Sequence, residues 1–172
     1  MRIISGNFKG HHLVSFQADH IRPTTDRVKE TMFNKIQFDV DGSKVLDLFS
    51  GTGSLGLEAY SRGAKGVHFV DKHPKSLEIL LKNITKLKIP KADYQTTKMD
   101  ILSFTQKFSS EVYDIIFIDP PFTEKMAHEV MEHLAKSKLF HSQTIITIES
   151  LKQERMDDQY GVLQRYDHKD YG

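Results

Sequence analysis

Two stretches of the 172-residue chain carry residue types whose spacing suits chemistry. The one richer in chemistry is Phe117-Ile118-Asp119-Pro120-Pro121-Phe122, an apolar run that stops at an acid, two prolines and an aromatic. The prolines fix φ and remove two backbone donors. The Asp119 carboxylate and the Pro120 carbonyl then make a pair of acceptors matched to one NH2 group, and Phe122 offers a flat face on which a base can stack. An exocyclic amine is a poor nucleophile because its lone pair is delocalised into the ring. Holding both hydrogens lets the nitrogen pyramidalise, and the carboxylate stabilises the positive charge that develops there during an in-line displacement. The bland alternative is a strand-terminating Pro-Pro turn.

The other stretch is Val45-Leu46-Asp47-Leu48-Phe49-Ser50-Gly51-Thr52-Gly53-Ser54-Leu55-Gly56. Its glycines match G-x-G-x-x-G, a weak signal shared with dinucleotide-binding folds. Asp47 separates the readings: a carboxylate four residues before Gly51 repels a pyrophosphate but suits a ligand with an amino-acid ammonium group, such as S-adenosylmethionine. Asp71, twenty residues after Gly51, is placed to accept from ribose hydroxyls. Asp100 could accept from an adenine amino group, with helix capping an equal alternative.

The elements that must position these residues alternate. Short strands are expected at Lys44–Phe49, Gly66–Asp71, Tyr94–Met99, Tyr113–Asp119, Thr144–Glu149 and Gly161–His168. Helices are expected within Gly51–Gly63, over Pro74–Leu87 with Leu77, Leu80, Leu81, Ile84 and Leu87 on one side, and over Thr123–Lys138. A further helix starts near Thr24 or Thr25 with Val28, Met32 and Ile36 as its apolar face. Such alternation predicts an α/β fold, a mostly parallel twisted sheet with helices on both faces. Ligands of such sheets bind beyond the carboxyl ends of the strands. Residues 1–22 read as a short β extension and 23–172 as the core of one domain.

Composition bounds the rest. There is no cysteine, hence no disulfide framework or thiolate nucleophile, and no apolar run long enough to span a membrane; a cytoplasmic protein is expected. Nine histidines include no metal-binding spacing, and no metal is expected. Net charge is only +1, but residues 1–35 hold Arg2, Lys9, Arg22, Arg27, Lys29 and Lys35 against Asp19, Asp26 and Glu30, an excess that could face phosphates or be a solvated surface.

Asp47, Gly51-Thr52-Gly53 and Asp119-Pro120-Pro121-Phe122 together resemble the amino-methyltransferase arrangement. Met1–Gly10 and Arg22–Asn34, with Leu46–Gly53 and Leu57–Ala64, resemble the bacterial small-subunit ribosomal RNA guanine-N2 methyltransferases, the RsmD family, over essentially the whole chain. The resemblance implies a Rossmann-like class I methyltransferase fold, S-adenosylmethionine as cofactor, and guanine N2 of 16S ribosomal RNA in an assembling small subunit as target. It implies Asp119, Pro120, Pro121 and Phe122 at the catalytic centre. Around the cofactor it implies Asp47, Phe49, Ser50, Gly51, Thr52, Gly53, Asp71, Lys72, Asp100 and Ile101. Arg2, Lys9, Arg22, Thr24 and Arg27 would face RNA or close over the cofactor. Position 71 is Asp where the family often has Glu. The family also continues past a Tyr-Gly, here Tyr171-Gly172, with one more antiparallel strand, so that strand is expected to be missing. DNA adenine-N6 methylation, protein glutamine methylation, a dinucleotide-dependent oxidoreductase and a non-catalytic nucleic-acid binder remain as alternatives.

Overall fold

A computed structural model describes residues 1–16, 25–107 and 110–171. Five strands, β1 (Lys44–Leu48), β2 (Gly66–Asp71), β3 (Tyr94–Lys98), β4 (Tyr113–Ile118) and β5 (Phe140–Ile148), form a sheet in the order β3-β2-β1-β4-β5. All four pairings are parallel. The helices are α1 (Asp26–Lys35), α2 (Ser54–Ser61), α3 (Pro74–Lys86), α4 (Ile101–Lys107) and α5 (Ala127–Ala135).

The pleat sorts each strand's side chains between two cores. Val45, Val67, Phe69, Ile115 and Phe117 pack with Phe33 and Ile36 from the α1 region, Leu55 and Leu57 of α2, and Leu80 and Ile84 of α3. Leu46, Leu48, Val70, Ile116 and Ile118 pack with Ile101 and Phe104 of α4 and Val130 and Leu134 of α5. Both faces of the sheet are covered, which is why the strands read as apolar runs.

Several expectations shift. The buried residues of α1 are Lys29 and Phe33, with Ile36 just beyond; Val28 and Met32 lie at the margin. Thr25 caps this helix by accepting from the Val28 N–H (3.3 Å). On α3, Leu81 is exposed and Ile79 and Asn83 are buried in its stead. The helix expected from Thr123 begins only at Ala127, because residues 122–124 turn and Lys125 takes φ +46. The strand expected over Gly161–His168 is a two-residue hairpin, β6 (Gln159–Tyr160) and β7 (Leu163–Gln164), turning at Gly161. No antiparallel strand joins the main sheet among the described residues.

The N-terminal extension is a small hairpin, bridged antiparallel at Arg2 and His12 and tied to α2. Glu58 is the tie. Its Oε2 accepts from the Ile4 N–H (2.9 Å) and lies 3.3 Å from Lys29 Nζ; its Oε1 accepts from the Ser5 N–H (3.0 Å) and Arg62 Nε (2.9 Å). Lys29 donates onward to the Arg2 carbonyl (2.6 Å) and Ser54 Oγ (3.3 Å). Lys29 and Glu58 are fully buried, so Lys29 does not belong to the surface charge counted in the sequence. A buried ion pair persists where its remaining donors and acceptors are satisfied, as they are here.

Gly6 is the hinge of that contact. It holds φ +84, and a Cβ on it would lie 1.9 Å from the Ser61 carbonyl oxygen, which accepts from the Asn7 N–H (2.8 Å). Gly6→Ala should therefore lift the hairpin off α2 and cost about 3 kcal/mol from strain and overlap. Urea denaturation checks this; a variant as stable as the parent would show the hairpin to be loosely held.

Candidate functional site

The chemistry-bearing residues meet along the carboxyl edge of the sheet. Asp47 shares the pleat phase of Val45, Asp71 that of Phe69, and Asp119 follows Phe117 by two; all belong to the α1–α2–α3 face. Asp47 is 1% exposed, and its Oδ2 accepts from the Gly56 N–H in the first turn of α2 (2.8 Å). Burial, and then the charges of Asp119 and Asp71, push its carboxyl up to about 8, a rise that the Gly56 hydrogen bond opposes. Crowded acids of this kind favour a cationic ligand, which would return Asp47 to its ionised form.

Between β1 and α2 the backbone is bent for close approach. Phe49 (φ 60), Gly51 (φ 53) and Gly53 (φ 90) all lie in the left-handed region. A side chain on Gly53 would strike Leu80 at 2.4 Å and one on Gly56 would strike Phe69 at 2.4 Å, so both glycines are required by packing as well. The turn closes through the Gly53 N–H to the Ser50 carbonyl (2.8 Å). Asp71 supports it from β2, accepting from the Gly51 N–H on Oδ2 and the His73 N–H on Oδ1 (both 2.9 Å). Its role is thus partly to shape the loop, with remaining lone pairs available to a ligand. Asn83 on α3 donates to the Thr52 carbonyl (3.0 Å), and Thr52 Oγ1 reaches Met1 Sδ (3.4 Å), which sets the start of the chain beside this loop.

Beyond β4, Asp119 is half-buried, Pro120 is buried, and Pro121 and Phe122 are exposed, Phe122 at 38%. The turn closes on the Pro121 carbonyl, which accepts from the Glu124 N–H (3.0 Å), one residue past the carbonyl expected to serve an amine. Lys72 pairs with Glu124 (2.9 Å) and so ties the β2 end to this loop.

Two expected cofactor residues have other duties. Asp100 caps α4, its Oδ2 accepting from the Ser103 N–H (3.0 Å), and Ile101 is a core residue, 2% exposed. Of the expected RNA-facing residues, Arg2 pairs with Asp26 (3.0 Å), Lys9 and Arg27 are exposed, and Arg22 and Thr24 lie outside the described residues.

Among the described residues, two buried side-chain atoms have no hydrogen-bond partner: Ser50 Oγ and Glu149 Oε1. Both sit just past strand ends, β1 and β5, on the same edge as the acids. Buried polar atoms are ordinarily satisfied, so these two are open to bonds from a ligand or from water. Ser50 was expected from the sequence; Glu149 was not, although the strand-end rule that singles out Asp71 and Asp119 applies equally to the residue after Ile148. No helix among the described residues is long and apolar enough to cross a membrane, and none of their His, Asp or Glu groupings could hold a metal ion.

The chain is similar to known proteins over most of its length. The family described as conserved hypothetical protein 95 matches residues 1–172. The chain is 34% identical to the ribosomal RNA small subunit methyltransferase D of Haemophilus influenzae over 153 residues, covering 88% of this chain and 79% of that one. It is 33% identical to the enzyme of the same name from Escherichia coli K12 over 150 residues, covering 87% and 74%. Among solved structures, the yhhF protein of Escherichia coli superposes with a TM-score of 0.80 at 32% identity, over 91% of this chain and 84% of that one. TTHA0928 of Thermus thermophilus gives 0.80 at 22% identity over 92% and 90%, a likeness of fold.

Proposed function

The chain belongs to the RsmD family, the group described as conserved hypothetical protein 95, and from that premise we propose that it methylates the exocyclic N2 amine of a guanine in small-subunit ribosomal RNA, using S-adenosylmethionine. The observation that carries the reading is the row of acids Asp47, Asp71 and Asp119 along one sheet edge, beside a left-handed glycine turn and the Pro-Pro-Phe loop. Asp47 suits the cofactor's ammonium, Asp71 its ribose, and Ser50 Oγ offers a buried bond still to be made. When bound, S-adenosylmethionine supplies an electrophilic methyl group on a sulfonium. Asp119 accepts from the guanine amine, orients its lone pair and stabilises the positive charge that grows on nitrogen. Phe122 stacks on the base, which must be unpaired or flipped out to arrive there. Exposed Lys9 and Arg27 meet phosphates, and a ribosomal substrate makes the protein cytoplasmic.

The test is transfer of labelled methyl to unmodified small subunits, their deproteinised RNA, and duplex DNA, with digestion to nucleosides. N2-methylguanosine from ribosomal acceptors is expected. N6-methyladenine from DNA would replace the substrate and keep the chemistry; stabilisation by NAD with none by S-adenosylhomocysteine would remove both.

Asp47 gives the cofactor site a pH signature. Its raised carboxyl holds a proton below about 8 in the free protein, and an ammonium beside it favours the ionised form. Binding therefore expels that proton, and affinity for S-adenosylhomocysteine should rise with pH and level off above about 8. Calorimetry in buffers of different ionisation enthalpy reads the released proton directly. Affinity independent of pH would place the ammonium elsewhere.

A further inference from the structure

We propose that Glu124 is the positioning residue of Phe122: through its ion pair with Lys72 it tethers the exposed turn after β4 to the end of β2, so that the aromatic face is in place before the substrate base arrives. This rests on the reading of Phe122 as the stacking partner of that base.

Phe122 sits in a turn with no apolar packing to order it. Pro121–Lys125 are all exposed, and the chain returns to the core only at half-buried Met126. The two prolines stiffen the entry. Beyond them the order comes from polar contacts. The Pro121 carbonyl accepts from the Glu124 N–H (3.0 Å), which makes Phe122 and Thr123 the central residues of a β-turn. The chain leaves this turn through Lys125 at φ +46, a left-handed conformation that persists in a residue with a side chain only where neighbouring contacts hold it. On the far side of Lys125, the Ala127 N–H donates to Glu154 Oε1 (2.8 Å) and fixes the start of α5.

The anchor on the near side is the Glu124 carboxylate. Its Oε1 accepts from Lys72 Nζ (2.9 Å), and the side chains are 30% and 39% exposed, so the pair is partly shielded from water. Lys72 directly follows Asp71 at the end of β2, and β1 lies between β2 and β4 in the sheet. The bridge therefore joins strand ends on either side of β1, linking the side given to the ribose with the turn given to the base. Asp71 and Asp100 also act on the Lys72 ammonium. They lie at the end of β2 and at the start of α4, and neither can tether the turn in place of Glu124. An ion pair of this exposure contributes little to overall stability, but a turn without apolar packing opens independently of the cores, and there a small contribution decides the population. A base that stacks on Phe122 meets either a turn already in place or one that binding must first order. Glu124 thus acts on capture of the base and not on the displacement itself.

The chain has no tryptophan, so F122W places a single fluorophore in the turn. Time-resolved anisotropy of F122W, F122W/E124Q, F122W/K72M and the variant with all three changes follows the turn without cofactor or acceptor. E124Q and K72M are each expected to enlarge the fast local component at low salt, and together no further than either alone. Added salt should enlarge it in F122W and leave F122W/E124Q as it was. Equal fast components in F122W and F122W/E124Q, or additive effects of E124Q and K72M, overturn the tether. Methyl transfer with Phe122 retained supplies a second arm. E124Q should raise KM for small subunits about threefold to fivefold, with kcat and affinity for S-adenosylhomocysteine little changed, and E124D, which keeps the charge, should recover part of the loss. A wild-type KM in E124Q, or a loss confined to kcat, overturns the positioning role. Because the anisotropy needs no acceptor, a protein inactive on ribosomal RNA whose turn loosens in E124Q would fail the substrate reading and support the tether.

Discussion

Asp119→Ala is expected to abolish methyl transfer, lowering the single-turnover rate by at least about a hundredfold, and to leave affinity for S-adenosylhomocysteine largely intact. The rate loss follows from removing the one full negative charge placed to face the amine, an interaction that strengthens as charge develops in the transition state. The affinity follows from the sign of the electrostatics. Asp119 is one of the charges that raise the Asp47 carboxyl, so its removal eases ionisation of Asp47, which offsets the loss of one more distant negative charge from the field at an ammonium bound there. The fold should tolerate the change, since Asp119 lies past the end of β4 and outside both apolar cores. Single-turnover transfer to small subunits and isothermal calorimetry with S-adenosylhomocysteine separate the two effects. A variant that loses rate and cofactor affinity in equal measure would move Asp119 into the cofactor site and leave the amine without its acceptor.

The sequence exposes this edge because Asp71 and Asp119 each end a run of apolar residues and Asp47 lies one residue from the end of another, and in a parallel sheet such runs are strands that finish together. Gly66–Asp71 is bounded by a glycine and an acid and is found with both ends in place. The helix α4 is not among the elements expected from the sequence, although Asp100 reads there equally as a ligand group and as a helix cap, and its oxygen caps Ile101–Lys107. The apolar stripe of α1 was legible, yet its phase was not: spacing four suits Val28-Met32-Ile36 as well as Lys29-Phe33, and only the partner Glu58 makes a lysine the buried member. Glu149 shows the limit of reading along the chain. Nothing near it in sequence marks it; its place at this edge comes from the pairing of β5 with β4, which sets it on the strand next to that of Asp119, thirty positions earlier. The same holds for Glu58, which joins three segments far apart in the chain. Local pattern reveals strands, turns and the acids at their ends. Register and burial decide which of those acids act on one another.

Asp71→Ala is expected to weaken S-adenosylhomocysteine binding by about a hundredfold or more while leaving the chemistry of an already loaded enzyme nearly unchanged. Two losses combine. The ribose loses its acceptor, and the Gly51 and His73 N–H groups lose the oxygens that hold them at 2.9 Å. Each unsatisfied donor costs about 1–3 kcal/mol where water cannot reach it, and the Gly51 turn then samples conformations that do not fit the ligand. Asp71→Asn discriminates between the contributions, because an amide keeps one acceptor oxygen for a backbone donor and presents an NH2 to the other. If loop support dominates, Asn should recover a substantial part of the affinity and the thermal stability together. If ribose acceptance dominates, stability should return and affinity should not. Unchanged affinity in the alanine variant would remove Asp71 from the cofactor site and leave it as a brace between β2 and the glycine turn. Measured beside Asp119→Ala, the pair forms a crossed test: one variant spares binding and loses chemistry, the other loses binding and spares chemistry, and a site built with cofactor on the β1–β2 side and base on the β4 side requires both results.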